Sequence, residues 1–357
     1  MRAPLLAATA LLLLPAPALA RQGTMPDRHP TLTVGTATAR RGEIAYGTIM
    51  VPAGVDPATS IAVAVVHGAR PGPVLALVSG AHGTEYASIL ALSHLIGRLD
   101  PKRIAGSVIV VPLVNIPSFE QKVVHLNPVD RKNMNRFYPG DPNGTQTERA
   151  SHLITKEVVE QSDHLIDLHG GDLDESLRPY SFWNVTGNAA LDSVSRAMAL
   201  AFGIDHIVIS RERPKDPNAS RYLENTASTR GKPSLTAEAG YAGTVHPADV
   251  EVLISGCLNV MGYLKMIDRP VVPVRRPVWI DSVVVVTSDS SGIFHPLVGR
   301  DVRVTKGQPL GYVTDFLGRR LFDSVAPVAG LILYINAVPT MVKGGTVANI
   351  GVLAKSP

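Results

Sequence analysis

Apolar positions along this chain fall into three regimes. Residues 5–14 form an almost unbroken apolar run. Between residues 49 and 66 apolar and polar positions alternate, which predicts antiparallel edge strands. From residue 74 short apolar runs alternate with stretches of helical period. Residues 74–78 read VLALV and end in Ser79-Gly80, the pattern of a strand buried on both faces. Residues 85–99 then place Ile89, Leu92, Leu95, Ile96 and Leu99 at helical spacing. The same reading predicts strands over 107–114, 164–168, 206–209 and 234–237, and helices over 148–161, 189–201 and 247–266. Strands that alternate with helices imply an α/β fold, with a mostly parallel mixed sheet and helices on both faces. After Asp268 the pattern changes. Pro270, Pro273 and Pro277 stiffen the chain, and only short β-rich runs punctuated by glycine follow. The expected organisation is a large domain over 21–270, opened by an extended lead-in over 21–45, and a small all-β domain over 271–357.

The first twenty residues stand apart. Met1-Arg2 supplies a positive start, and Ala18-Leu19-Ala20 is a small-x-small cleavage pattern. Together with the apolar run they predict a signal peptide over 1–20. The run is short of the ~20 residues that span a bilayer, and Pro15 and Pro17 interrupt its end. The mature protein is therefore expected in the periplasm or outside the cell, without stable membrane insertion. Cys257 is the single cysteine, which excludes an internal disulfide, and its apolar helical setting reads as a buried small hydrophobe. The net charge of +4 comes without a basic block interleaved with aromatics, so nucleic acid is not an expected partner.

Four motifs carry chemistry, three of them where a predicted strand ends. In open α/β sheets ligands bind at the carboxyl ends of strands. Gly80-Ala81-His82-Gly83-Thr84-Glu85 offers an imidazole and a carboxylate three residues apart. Its ordinary alternative is a helix-start Glu facing the helix dipole. Asp167-Leu168-His169-Gly170-Gly171 adds a second imidazole at the end of another strand. Two nitrogens and one carboxylate, with a fourth position left to water, is the composition of a catalytic zinc site. Thr236-Ala237-Glu238-Ala239-Gly240 supplies a carboxylate suited to proton transfer. Glu224 and Glu251 are poorer choices for that role, because their segments read as helical or exposed. In a loop, Asn133-Met134-Asn135-Arg136 brings a guanidinium fork that matches a carboxylate.

These four motifs, in this order, resemble the succinylglutamate desuccinylase/aspartoacylase family, a branch of the zinc-carboxypeptidase superfamily. The resemblance covers about residues 75–351. It implies a zinc-carboxypeptidase-like fold, with Zn2+ held by His82, Glu85 and His169. It implies Asn135 and Arg136 as binders of the substrate carboxylate and Glu238 as general base. The family usually reads Asp-Leu-Asn-Arg, and here Asn133 stands at the Asp. An Asn oxygen accepts the hydrogen bond that orients a zinc-bound histidine, but it carries no charge. The family also tends to place an arginine about ten residues before the Asn-Arg pair, where it polarises the scissile carbonyl. Here His125 occupies that place, with Arg131 close by. The C-terminal segment resembles the half-barrel of biotinyl and lipoyl carriers through Gly307, Gly311 and the Ala326-Pro327-x-x-Gly330 turn. It lacks the Met-Lys-Met site, and so reads as a lid or specificity wall.

The expected activity is zinc-dependent hydrolysis of an amide bond in a small, carboxylate-bearing substrate, of the N-acyl amino acid deacylase type. An exported carboxypeptidase or amidase acting on short peptides shares the same chemistry. A non-catalytic zinc- or ligand-binding protein shares the same ligands, but it needs no base beside an open metal position.

Overall fold

The computed structural model describes residues 30–355. The expected leader over 1–20 lies outside the described residues. A twelve-stranded sheet organises the molecule. Its first edge is the antiparallel pair Glu43–Val51 and Thr59–His67. Next come Ala105–Val111, Arg70–Ser79, His164–His169 and Ser234–Tyr241, four strands that run parallel to one another. Glu175–Asn184, His206–Ser210 and Val278–Thr287 follow, and Thr346–Leu353, Gly330–Asn336 and Arg303–Val304 close the far edge.

Both faces of the central strands are covered, which is why those strands are almost wholly apolar. Successive side chains point to opposite faces. Leu75, Leu77, Ile166 and Leu168 pack on one side against the helices Tyr86–Ile96, Ala189–Phe202 and Pro247–Tyr263. Val74, Ala76, Val78 and Leu165 pack on the other, against the helices Gln146–Ile154 and Leu223–Ser228 and the hairpin Thr31–Val34/Ala37–Arg40. Burying each Leu or Val is worth roughly 1.5–3 kcal/mol. Cys257 sits fully buried in the first of these cores.

The expected predominance of parallel pairing does not hold. Among the described strands of this sheet, five pairings are parallel and seven antiparallel. One cause is Glu175–Asn184, a strand that runs antiparallel to Ser234–Tyr241. The other is the C-terminal segment. Its strand Val278–Thr287 joins the sheet parallel to His206–Ser210, and further antiparallel strands build outward from it. Gly330–Asn336 also pairs with Glu175–Asn184, so backbone hydrogen bonds tie this segment to the rest. A smaller sheet of Arg320–Val325, Pro309–Thr314, Gly292–Pro296 and Thr340–Met341 packs over the segment's own apolar cluster.

Candidate active site

Three of the four motifs meet at the carboxyl ends of the central strands. His82 lies in the turn after Arg70–Ser79, and Glu85 precedes the helix Tyr86–Ile96. The turn runs so close to its neighbour that a Cβ at Gly83 would stand 2.2 Å from the Phe119 nitrogen. His169 ends its own strand. The Glu85 carboxylate bridges the two imidazoles. Its Oε1 lies 2.6 Å from His82 Nδ1, and its Oε2 lies 2.9 Å from His169 Nδ1. The Gly170 N–H also donates to Oε2, at 3.1 Å. One donor atom from each of the three residues falls within 4.8 Å of the others, and all three residues are buried.

The far nitrogen of each ring has its own acceptor. His82 Nε2 lies 3.1 Å from Asn133 Oδ1, and His169 Nε2 lies 3.2 Å from Asp167 Oδ2. An acceptor at Nε2 fixes the tautomer that leaves the Nδ1 lone pair for a cation. Two Nδ1 atoms and one carboxylate, already oriented from behind, fit a zinc ion. Burial alone would raise the Glu85 carboxyl, but the charges and hydrogen bonds of His169 and His82 hold it well below the usual carboxylate range. Burial disfavours charge on His169, yet Asp167 and Glu85 push its proton affinity well up. The site is thus built for positive charge.

Glu238 stands directly opposite His169 on the neighbouring parallel strand, and both side chains share one sheet face. Burial, reinforced by Glu85 and Glu175, raises its carboxyl well above the usual range against the pull of His169. A cavity of about 840 Å3 opens over these groups. His82, Glu85, His169, Glu238, Asn135 and Arg136 all line it. Val283, Val285 and Tyr334 of the C-terminal segment form part of its wall.

The loop motif divides its labour. Asn135 is buried. Its Oδ1 accepts from the Leu223 N–H at 3.0 Å, and its Nδ2 lies 3.2 Å from His169 Nε2. Arg136 donates from Nη1 to the Asn135 carbonyl at 2.6 Å and lies over the Tyr222 ring, 4.9 Å from its centroid. No carboxylate pairs with it among the described residues. His125 reaches the cavity, its ring 5.2 Å from that of His82. Its Nδ1 lies 3.1 Å from Asp172 Oδ2. Arg131, by contrast, is exposed at a positive φ of 59° and does not line the cavity.

Several lining or supporting groups went unread in the sequence. Asp167 stands two residues before His169, hence on the same strand face, and that spacing was the available signal. Arg213 covers the Tyr222 ring at 3.7 Å and pairs at 2.9 Å with buried Glu224. Asp172, Asp174 and Glu175 surround His125. Nothing in the local sequence pattern marks either group.

Residues 71–264 match the model of the succinylglutamate desuccinylase/aspartoacylase catalytic domain. The chain belongs to that family. It is also 30% identical over 293 residues to the N-alpha-acetyl-L-2,4-diaminobutyric acid deacetylase of Halomonas elongata, covering 80% of this chain and 79% of that relative. Two solved structures share the fold at 24% identity each. The succinylglutamate desuccinylase/aspartoacylase of Rhodobacter sphaeroides superposes with a TM-score of 0.76 over 88% of this chain and 96% of its own. The product-bound ectoine utilization protein EutE (DoeB) of Ruegeria pomeroyi gives 0.77 over 87% and 95%. Against the family pattern, Asn133 keeps the hydrogen-bonding place of the usual acid, and His125 brings an imidazole to the cavity wall.

Proposed function

We propose that this chain is a zinc-dependent amide hydrolase that removes the acyl group from a small N-acylated amino acid, with Glu238 as its general base. The observation that carries this reading is the pairing of Glu238 with His169. It sets a carboxylate of raised proton affinity beside a three-donor cation site, within one open cavity. His82, Glu85 and His169 would hold the zinc, which would supply Lewis acidity and a water acidic enough to lose a proton near neutral pH. Glu238 takes that proton and returns it to the leaving amine nitrogen. Its buried setting favours the protonated form and so favours the return. Asn133 and Asp167 keep the two imidazoles oriented. Arg136 offers its fork to the substrate carboxylate.

The substrate class follows from the cavity and from the Halomonas relative, whose name specifies an N-acetylated diamino acid. The Arg136 fork on the cavity wall suits a substrate with a free carboxylate. Export to the periplasm or beyond belongs to the same reading and rests on the apolar leader. N-terminal sequencing of secreted protein is expected to begin at Arg21.

The test is a hydrolysis screen of the zinc-loaded protein. N-acetyl amino acids are expected to release acetate, and short unacylated peptides are expected to stay intact. Cleavage of the peptides alone would move the assignment to a carboxypeptidase. Tight zinc binding with no turnover of either class would leave a binding protein.

A further inference from the structure

We propose that His125, Asp174 and Glu175 form a second site for a divalent transition-metal cation, at the margin of the same cavity, which His125 and Glu175 line. His125 Nε2 lies 3.9 Å from Asp174 Oδ1 and 3.8 Å from Glu175 Oε1. Those separations are too long for hydrogen bonds. They approach the spacing of atoms that share one ion through bonds of about 2.0–2.2 Å. The three donor atoms lie within 4.8 Å of one another.

The remaining polar atoms of the group are already committed. His125 Nδ1 faces Asp172 Oδ2 at 3.1 Å, and Asp172 is fully buried. This repeats the relation of His169 to Asp167, in which a carboxylate behind the ring leaves the other nitrogen for a metal. Glu175 Oε2 accepts the Asp172 N–H at 3.1 Å, which turns Oε1 toward His125. The independent sign of a missing partner is Asp174 Oδ1. That atom is buried and has no hydrogen-bond partner, although the side chain as a whole is 38% exposed.

One imidazole and two carboxylates suit zinc, manganese or iron(II). His125 and Glu175 are partly exposed and line the open cavity, so an ion has a way in. The His125 ring is 5.2 Å from the His82 ring, and a cation here adds positive charge beside the first site. The inference does not depend on the amide-hydrolase reading, because it is read as bound metal rather than as turnover.

The experiment counts zinc. The full chain is loaded with excess zinc, passed through gel filtration into metal-free buffer, and assayed for metal per chain. Two zinc ions per chain are expected for the wild type. One is expected for Asp174→Asn and for the nearly isosteric Glu175→Gln, with thermal melts confirming that both variants fold. A single zinc in the wild type overturns the proposal, and so do two zinc ions retained in both variants. The rival occupant is an ammonium group on the substrate. One zinc in the wild type, with Asp174→Asn raising KM only for substrates bearing a side-chain amine, would give the wall to that group instead.

Discussion

Nε2 of His82 stands 3.1 Å from Oδ1 of Asn133, so an amide fills the supporting place beside a proposed metal ligand. The bond survives the loss of charge because a neutral carbonyl oxygen still accepts an imidazole N–H. Removing it should matter. Asn133→Ala is expected to weaken zinc binding by about 10–100-fold in a chelator competition. Asn133 Oδ1 also accepts the Asn135 N–H at 3.0 Å, so Asn133→Asp, which keeps both acceptors, is the control and should bind zinc at least as tightly as wild type. Equal zinc affinity in the alanine variant would show that His82 is held by something else.

Glu238 offers a cleaner separation of binding from chemistry. It is no member of the donor triad. Glu238→Gln should therefore retain zinc while losing turnover by roughly 10²–10⁴-fold. A zinc-loaded variant of undiminished rate would transfer the proton-handling role to another group, with Glu175 the next carboxylate in the cavity.

The parts of the site that could be read from sequence are those fixed by strand ends. His82, His169 and Glu238 each follow a short apolar run, and the parallel sheet brings such positions to one edge. Asn135 and Arg136 reach the cavity from a loop and are legible through their motif, but other loop positions leave no such trace. Arg213 follows His206–Ser210 by three residues in an irregular stretch, and only the folded chain lays it on Tyr222. The strand Glu175–Asn184 shows no strand period in the sequence. Its buried and half-buried positions come in pairs rather than alternating, because one strand is shared between the central sheet and Gly330–Asn336. That strand and the C-terminal strands that join the same sheet are together why the expected parallel majority does not hold.

The acidic wall sets a pH dependence in metal-free protein. Burial opposes charge on His125, but the Asp172 hydrogen bond and the charges of Glu175, Asp172 and Asp174 raise its pKa from 6.5 to about 9. The folded state then holds this proton more tightly than the unfolded chain does. The stabilisation is fully present below pH 6.5 and is lost as pH rises through about 9. Glu175, pushed up to about 8 by burial, acts in the same direction from its ordinary 4.5. Melting temperatures of the metal-free protein should fall between pH 6.5 and 9, and Asp172→Asn should flatten that fall. An unchanged slope in the variant would assign the dependence to groups elsewhere.

The carboxylate preference of the substrate turns on Arg136. One of its nitrogens is tied to the Asn135 carbonyl, and its plane lies over Tyr222. That pairing fixes the guanidinium in place without neutralising it, since no acid pairs with it among the described residues. A fixed, uncompensated fork at the edge of a reactive cavity is suited to a substrate carboxylate, which accepts two parallel N–H bonds. Lysine keeps the charge and loses the fork. Losing one charge-assisted hydrogen bond costs about 1.5–3 kcal/mol. Arg136→Lys should thus raise KM for a carboxylate substrate by roughly 10–100-fold with zinc content unchanged. The same comparison can be made from the other side. Wild type should hydrolyse an N-acetyl amino acid far better than its carboxamide, and Arg136→Lys should narrow the gap. Equal rates on the acid and the amide in wild type would mean that Arg136 serves the loop alone, and the substrate would then be an uncharged amide.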